Sequence, residues 1–147
     1  MQATPPPTNS TRTLERLLAA LAAAICLILC ALIWQAVSAQ QPMWPLPALY
    51  LLEMLAASIL GVWDIWSGET RQHGAIVTWV VTGILLAFVI IGAWSVGFLF
   101  IPVTGLLAIS AVLSDRRLGR NLALHLGVGF AAALAQAALM LGVIRLL

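Results

Sequence analysis

The sequence predicts an all-α integral membrane protein, a bundle of about five transmembrane helices. Of its 147 residues, 63% are hydrophobic and 8% are charged, whereas soluble domains carry about 25% charged residues. The apolar residues form long runs, and each helical span of a bilayer needs roughly 20 such residues. The chain therefore has room for about five spans, and residues 14–147 are predicted to form a single transmembrane domain.

Residues 1–13 are predicted to form a disordered tail, because the segment is polar and its three consecutive prolines exclude a helix there. The first span is predicted over residues 14–39, with an uninterrupted apolar core of 18 residues from Leu17 to Trp34. A cleaved signal peptide is the alternative, because Val37-Ser38-Ala39 has the small-residue pattern of a cleavage site. The apolar core exceeds the roughly 7–15 residues typical of signal peptides, which favours an uncleaved helix.

The other spans follow from the lengths of the apolar runs. They are predicted at residues 46–66, 75–94, 97–113 and 122–146. Residues 75–113 form one stretch of 39 residues, about twice one span, so a break is predicted at Ser95 and Gly97. Pro102 is compatible with the start of the following helix, where a proline removes no helical hydrogen bond.

The positions of the arginines predict the orientation. Arg12 and Arg16 precede the first span, Arg71 lies between spans two and three, and three arginines lie between spans four and five: Arg116, Arg117 and Arg120. Cytoplasmic loops are enriched in such residues, which places the N-terminus in the cytoplasm and the C-terminus outside. The predicted location is a bacterial-type cell (inner) membrane.

The tryptophans are predicted to form belts at the two membrane boundaries, where their amphipathic rings are favoured. Trp34, Trp44 and Trp94 fall at the outer boundary of the predicted spans. The other three fall at or near the inner boundary: Trp63, Trp66 and Trp79. The tryptophans and the arginines therefore predict the same topology.

Four polar residues inside the predicted spans are candidate site residues: Glu53, Asp64, His125 and Gln136. A charge at the centre of a bilayer costs about 2.5–3.5 kcal/mol or more, so such residues should face protein or water. Glu53 and Asp64 are 11 residues apart, which places them on one helical face. His125 and Gln136 have the same spacing. On each helix, small residues lie between the two polar ones: Ala57 and Gly61 in span two, and Gly129 and Ala132 in span five.

Small residues let transmembrane helices approach closely, so spans two and five are predicted to pack antiparallel. In this register Asp64 is level with His125, and Glu53 is level with Gln136. Two interpretations remain open. The polar layers either only set the register of the helices, or Glu53 is a proton or cation site that is neutral when buried and charged when wet. A second run of small residues follows at intervals of four in span five: Ala123, Gly127, Ala131 and Ala135.

The remaining charges have simpler interpretations. Arg116, Arg117 and Arg120 are candidates for binding an anionic lipid headgroup. The other acids are expected to be interfacial charges that pair loosely with nearby arginines: Glu15, Glu69 and Asp115. Ala22, Cys26 and Cys30 form a small-residue stripe on one face of span one, which is suited to helix packing rather than to metal or redox chemistry.

No motif for catalysis, metal binding or cofactor binding occurs in the sequence: there is no Walker A loop, HExxH or CxxC. Gly127-Val128-Gly129 lies inside an apolar run, so it is a packing feature. We therefore predict no catalytic residue, metal or cofactor, and a net charge of +2 is too small for a nucleic-acid surface. The favoured function is a non-catalytic accessory or structural subunit that associates with the bilayer and with another membrane protein or its own copies. The alternative is a small oligomeric transporter or ion-conducting protein that uses Glu53.

Overall fold

The computed structural model describes residues 9–39, 46–67, 74–92 and 96–146, and this part of the chain is helical. Five α-helices follow in order: α1 (Asn9–Ser38), α2 (Leu46–Ser67), α3 (Gly74–Ile91), α4 (Ile101–Arg117) and α5 (Leu122–Leu146). A short 3₁₀ turn, Gly97–Phe100, leads into α4. Among the predicted features, Trp44, Trp94, Glu69 and Arg71 lie outside the described residues.

Four helices are long and apolar enough to cross a membrane, which indicates a membrane protein. They are Ser10–Ser38, Tyr50–Ser67, Gly97–Arg117 and Leu122–Val143. The apolar part of α3, Ile76–Ile91, is shorter. Large apolar side chains are exposed on the outside of the helices, among them Leu17, Leu52, Phe130 and Leu139. Such a surface suits a lipid environment, since water would favour its burial.

The helix boundaries differ from the predicted spans mainly at the start. α1 begins at Asn9, five residues before the predicted span, so residues 9–13 of the expected tail are helical. Asparagine, serine and threonine are favoured at a helix start because their side chains can accept hydrogen bonds from the first free N–H groups. The predicted break between spans three and four is present, and Pro102 lies in the first turn of α4.

α4 ends at a glycine in the left-handed backbone conformation. Gly119 has φ of 62°, a conformation that costs glycine nothing and that other residues rarely adopt. The N–H of Arg120 donates to the carbonyl oxygen of Asp115 at 3.0 Å across this turn. The chain then reverses into α5 within a few residues. α1 and α5 begin at one end of the bundle, and α2 and α4 end there. We call this end the arginine end.

α1, α2, α3 and α4 form a four-helix ring in which each helix contacts the next and α4 closes against α1. The core of the ring consists of buried apolar side chains from each helix, including Cys26, Met54, Leu85, Phe100 and Leu107. Among the described residues, α3 is the best buried helix: eight of its residues from Thr78 to Phe88 are buried. It carries no ionisable residue, so its burial leaves no charge without solvent.

α5 lies outside this ring and packs mainly against α3. Its direct packing against α2 was predicted and is wrong: no close backbone contact joins the described parts of α2 and α5. Gly61, expected at that interface, instead faces Val81 of α3 and Leu107 of α4. α3 therefore occupies the position that the prediction assigned to α5.

The predicted tryptophan belts require side chains at the surface of the bundle, and three described tryptophans meet this requirement. Trp34, Trp63 and Trp66 are exposed, at 50%, 68% and 59% of their surface. Trp79, which was assigned to the inner belt, is only 4% exposed. That assignment is wrong because the indole N–H of Trp79 has an acceptor inside the protein, as described below.

Candidate functional site

The outer of the two predicted polar layers is formed by direct contact. Gln136 on α5 donates from Nε2 to Oε1 of Glu53 on α2 at 2.8 Å. The backbones of α2 and α5 remain apart, so the two long side chains span the gap beside α3. Thr104, which lies at a similar depth, donates instead to the carbonyl oxygen of Phe100 in its own helix turn. The described hydrogen bond of the Glu53 carboxylate is therefore with α5.

The inner polar layer differs from the prediction in its partners. Thr78 on α3 donates to Oδ2 of Asp64 on α2 at 2.5 Å. His125 on α5 lies with Nδ1 2.8 Å from Oδ2 of Asp115 on α4. Asp64 and His125 thus do not pair with each other, because α3 separates their helices. They nevertheless lie at a similar level, since Thr78 and Trp79 are adjacent on α3 and connect to the two acids.

Asp115 is the centre of a three-helix cluster, which we call the inner cluster: Trp79, Asp115 and His125. Trp79 donates from Nε1 to Oδ2 of Asp115 at 2.8 Å, so α3 and α5 bind the same carboxylate oxygen on α4. Nδ1 of His125 and Oδ2 of Asp115 share one hydrogen in their contact, which joins α5 to α4. Asp115 is fully buried, and its second oxygen, Oδ1, has no partner within the described residues. The expectation of a loosely paired interfacial charge is therefore wrong for Asp115.

A glycine contact lies between the two polar contacts of α5. A Cβ placed on Gly83 of α3 would collide with the carbonyl oxygen of Gly129 on α5. A Cβ on Gly129 would lie 3.1 Å from the carbonyl oxygen of Trp79. The two backbones therefore meet here as closely as they can, the arrangement for which small residues are favoured between transmembrane helices. α5 crosses α3 at this point, with His125 reaching α4 on one side and Gln136 reaching α2 on the other.

A second set of polar contacts joins α1 to α4 at the arginine end. Arg117 donates from Nε to both carboxylate oxygens of Glu15, at 3.0 and 3.2 Å. Ser110 donates to the backbone oxygen of Glu15 at 3.0 Å. Glu15 is only 2% exposed, so the expectation that it is a loosely paired surface charge is also wrong. These three hydrogen bonds join α1 to α4 and so close the helix ring.

The three arginines proposed for lipid binding are placed differently from one another. Arg117 is engaged by Glu15, which neutralises much of the charge that a phosphate would need. Arg116 is exposed, and Arg120 is partly buried. The three side chains therefore differ in exposure and in partner, and Arg120 lies after the end of α4.

The cysteines lie where the small-residue stripe of α1 meets α2. Sγ of Cys26 is 3.7 Å from the carbonyl oxygen of Met54, and Sγ of Cys30 is 3.9 Å from that of Leu51. Ala22, Cys26 and Cys30 are all buried. Both thiols are free and make weak contacts that accompany close helix packing.

Trp79 and Asp115 are the two residues of the inner cluster that the sequence did not bring forward. Trp79 was counted as a belt residue, and Asp115 was grouped with Arg116 and Arg117, its sequence neighbours. The available signal was helical position: Asp115 is one residue before Arg116 and so points about 100° away from it. Only the position of α3 identifies that direction as the protein interior.

No protein-family model matches the chain, and no curated protein or solved structure matches it either. The fold and the polar contacts together define an all-helical protein of the membrane class. Its polar groups join helices to one another.

Proposed function

We propose that this protein is a non-catalytic structural or accessory subunit of a membrane complex. It spans a bacterial-type cell (inner) membrane with five helices, its N-terminus in the cytoplasm and its C-terminus outside. The observation that carries this proposal is the use of its polar groups: Glu53, Asp64 and Asp115 are each bound by a side chain of another helix. Groups engaged in this way position helices rather than substrates.

The outer face of α5 supports a role in assembly. Its inner face uses Gly129 against α3, while a second run of small residues is exposed: Ala123, Gly127, Ala131 and Ala135. Nothing lies within 4 Å of a Cβ placed on Gly127. Small residues repeated every four positions allow a neighbouring transmembrane helix to approach closely. We therefore assign the partner subunit to this face.

Substitution of Gly127 by leucine tests this assignment. Leucine enlarges the exposed face at a position where a Cβ meets none of the described residues within 4 Å, so the fold should be retained and association should weaken. The tagged protein, purified in mild detergent at native expression, is expected to carry a stoichiometric larger membrane protein. Gly127→Leu should retain about tenfold less of it, equivalent to about 1.4 kcal/mol.

Gly105→Leu on α4 is the matched control, because a Cβ at Gly105 also has nothing within 4 Å and the residue lies on another helix. It should retain the partner. Wild-type protein that purifies without a partner would contradict the subunit proposal. Equal retention by Gly127→Leu would contradict the choice of the α5 face.

A second candidate function, a small transporter or ion-conducting oligomer, has one observation in its favour. Glu53 is only partly buried and lines a groove of about 290 Å³ between α2 and α3. The other lining residues are apolar, including Ala56, Leu60, Val77 and Ile84. An apolar lining disfavours water and ions, so we rank transport second.

Glu53→Gln separates the two functions. Glutamine retains an oxygen that can accept from Gln136 but cannot ionise, so thermal stability in detergent should change by less than about 0.6 kcal/mol, the average of an interhelical hydrogen bond in lipid. Proteoliposomes that contain wild-type protein should show no proton or cation flux above empty vesicles. A wild-type flux that Glu53→Gln abolishes would favour transport over the structural role.

A further inference from the structure

A groove of about 500 Å³ lies between α1 and α2 near the arginine end. Its lining is almost entirely apolar and consists of Ala23, Ile59, Val62, Trp63, Trp66 and Ser67. The α2 residues of this lining extend from Ile59 to Ser67, nine positions of the helix, or about 12 Å at 1.5 Å per residue. The groove is therefore an elongated apolar channel that ends near the last turn of α2.

The groove exists because small residues of α1 face large residues of α2. Ala23 lines it, and Ala20 lies one turn nearer the N-terminus on the same side. Trp63 and Trp66 project from α2 with 68% and 59% of their surface exposed. Two indole rings beside an alanine face leave a space that the described residues do not fill.

A cation contacts Trp66, one of the residues that line this groove. Arg16 is seven residues before Ala23 and so lies on the same side of α1. Its guanidinium is 5.7 Å from the centre of the Trp66 ring, and its Nη2 donates to the carbonyl oxygen of Trp66 at 3.4 Å. Its Nε is buried and has no acceptor among the described residues. The Nε–H of this guanidinium therefore has hydrogen-bonding capacity that its contacts within the described part of the chain do not use.

We propose that this groove binds one anionic phospholipid, with an acyl chain between α1 and α2 and the phosphate on Arg16. The apolar walls match a hydrocarbon chain, and the arginine presents N–H donors in the fork geometry that suits phosphate. Tryptophan rings are favoured at the level of lipid headgroups, where Trp66 and Arg16 lie together. The lipid occupies the leaflet at the arginine end.

This site differs from the arginine triplet of α4. Arg117 is bound by Glu15, and Arg116 is exposed. Arg16 combines a cation with a channel for the chain, and Arg12 lies one turn earlier on the same helix. The positive charge that suits a phosphate and the groove that suits an acyl chain therefore lie side by side at Arg16.

Native mass spectrometry of the full chain tests the proposal. Delipidated protein in neutral detergent is offered equal amounts of phosphatidylglycerol and phosphatidylcholine of identical chain length. Wild-type protein should retain one phosphatidylglycerol in preference to phosphatidylcholine. Arg16→Gln should lower phosphatidylglycerol retention about fivefold, or about 1 kcal/mol, the contribution of one arginine near an anionic surface.

Ala23→Leu provides an independent test because it keeps Arg16 and fills the groove, and it should lower retention of phosphatidylglycerol as well. Arg116→Gln, which removes the exposed arginine of the same end, is the matched control and should retain the lipid. Equal retention of both lipids by wild type would overturn the proposal. So would unchanged retention in a folded Ala23→Leu variant, or a loss in Arg116→Gln as large as in Arg16→Gln. If Arg16→Gln does not fold, the wild-type competition and Ala23→Leu decide the outcome.

Discussion

Gly83→Ala is expected to destabilise the protein by about 3 kcal/mol or more, the upper part of the range for overpacked cores. The added methyl group would collide with the carbonyl oxygen of Gly129. Backbone cannot rotate away as a flexible side chain can, so α3 and α5 must separate. Separation would also lengthen the Glu53–Gln136 and Asp115–His125 contacts. The measurement is thermal unfolding in detergent, followed by the loss of helical signal.

Gly127→Ala is the matched control, since it adds the same methyl group to α5 where nothing lies within 4 Å. It should leave the melting temperature of the isolated chain unchanged or slightly raised, because alanine is the better helix former by about 1 kcal/mol. A Gly83→Ala variant as stable as Gly127→Ala would mean that α3 and α5 do not meet at these glycines.

Asp115→Ala is expected to cost about 3 kcal/mol, within the range for breaking a buried pair by removing one partner. The substitution leaves the indole N–H of Trp79 without its acceptor and the imidazole of His125 without its hydrogen-bond partner. Each buried donor left without an acceptor costs about 1–3 kcal/mol. Removing one donor instead, by Trp79→Phe, should cost only about 1 kcal/mol. Chemical unfolding in detergent measures both variants.

Asp115→Asn and Arg116→Ala complete this series. Asparagine keeps one acceptor oxygen, so Asp115→Asn should lower the free energy of unfolding by less than Asp115→Ala does. Arg116→Ala alters the exposed neighbour and should change stability by less than about 0.5 kcal/mol. If Asp115→Ala and Arg116→Ala unfolded at the same denaturant concentration, the inner cluster would not hold α3, α4 and α5 together.

Much of the architecture could be predicted because the thickness of the bilayer sets the number of consecutive apolar residues in each span. Run length predicted the helices and the break near Gly97, since about 20 apolar residues fill one span. Depth along each run placed Glu53 level with Gln136, and their side chains do meet. Composition alone indicated an apolar outer surface, because 63% hydrophobic residues exceed what a small core can enclose.

The sequence by itself therefore determined helix number, approximate helix limits and the level of polar residues along the bundle. Only the tertiary structure decided which helices are neighbours. Small-residue faces occur on α1, α2 and α5. Each face permits close packing but does not specify which helix packs against it. α3 entered between α2 and α5 because it has no ionisable residue and carries Gly83 opposite Gly129. That position turned Trp79 inward and gave Asp115 and His125 a common contact, because the direction in which a side chain points depends on how its helix is rotated in the bundle.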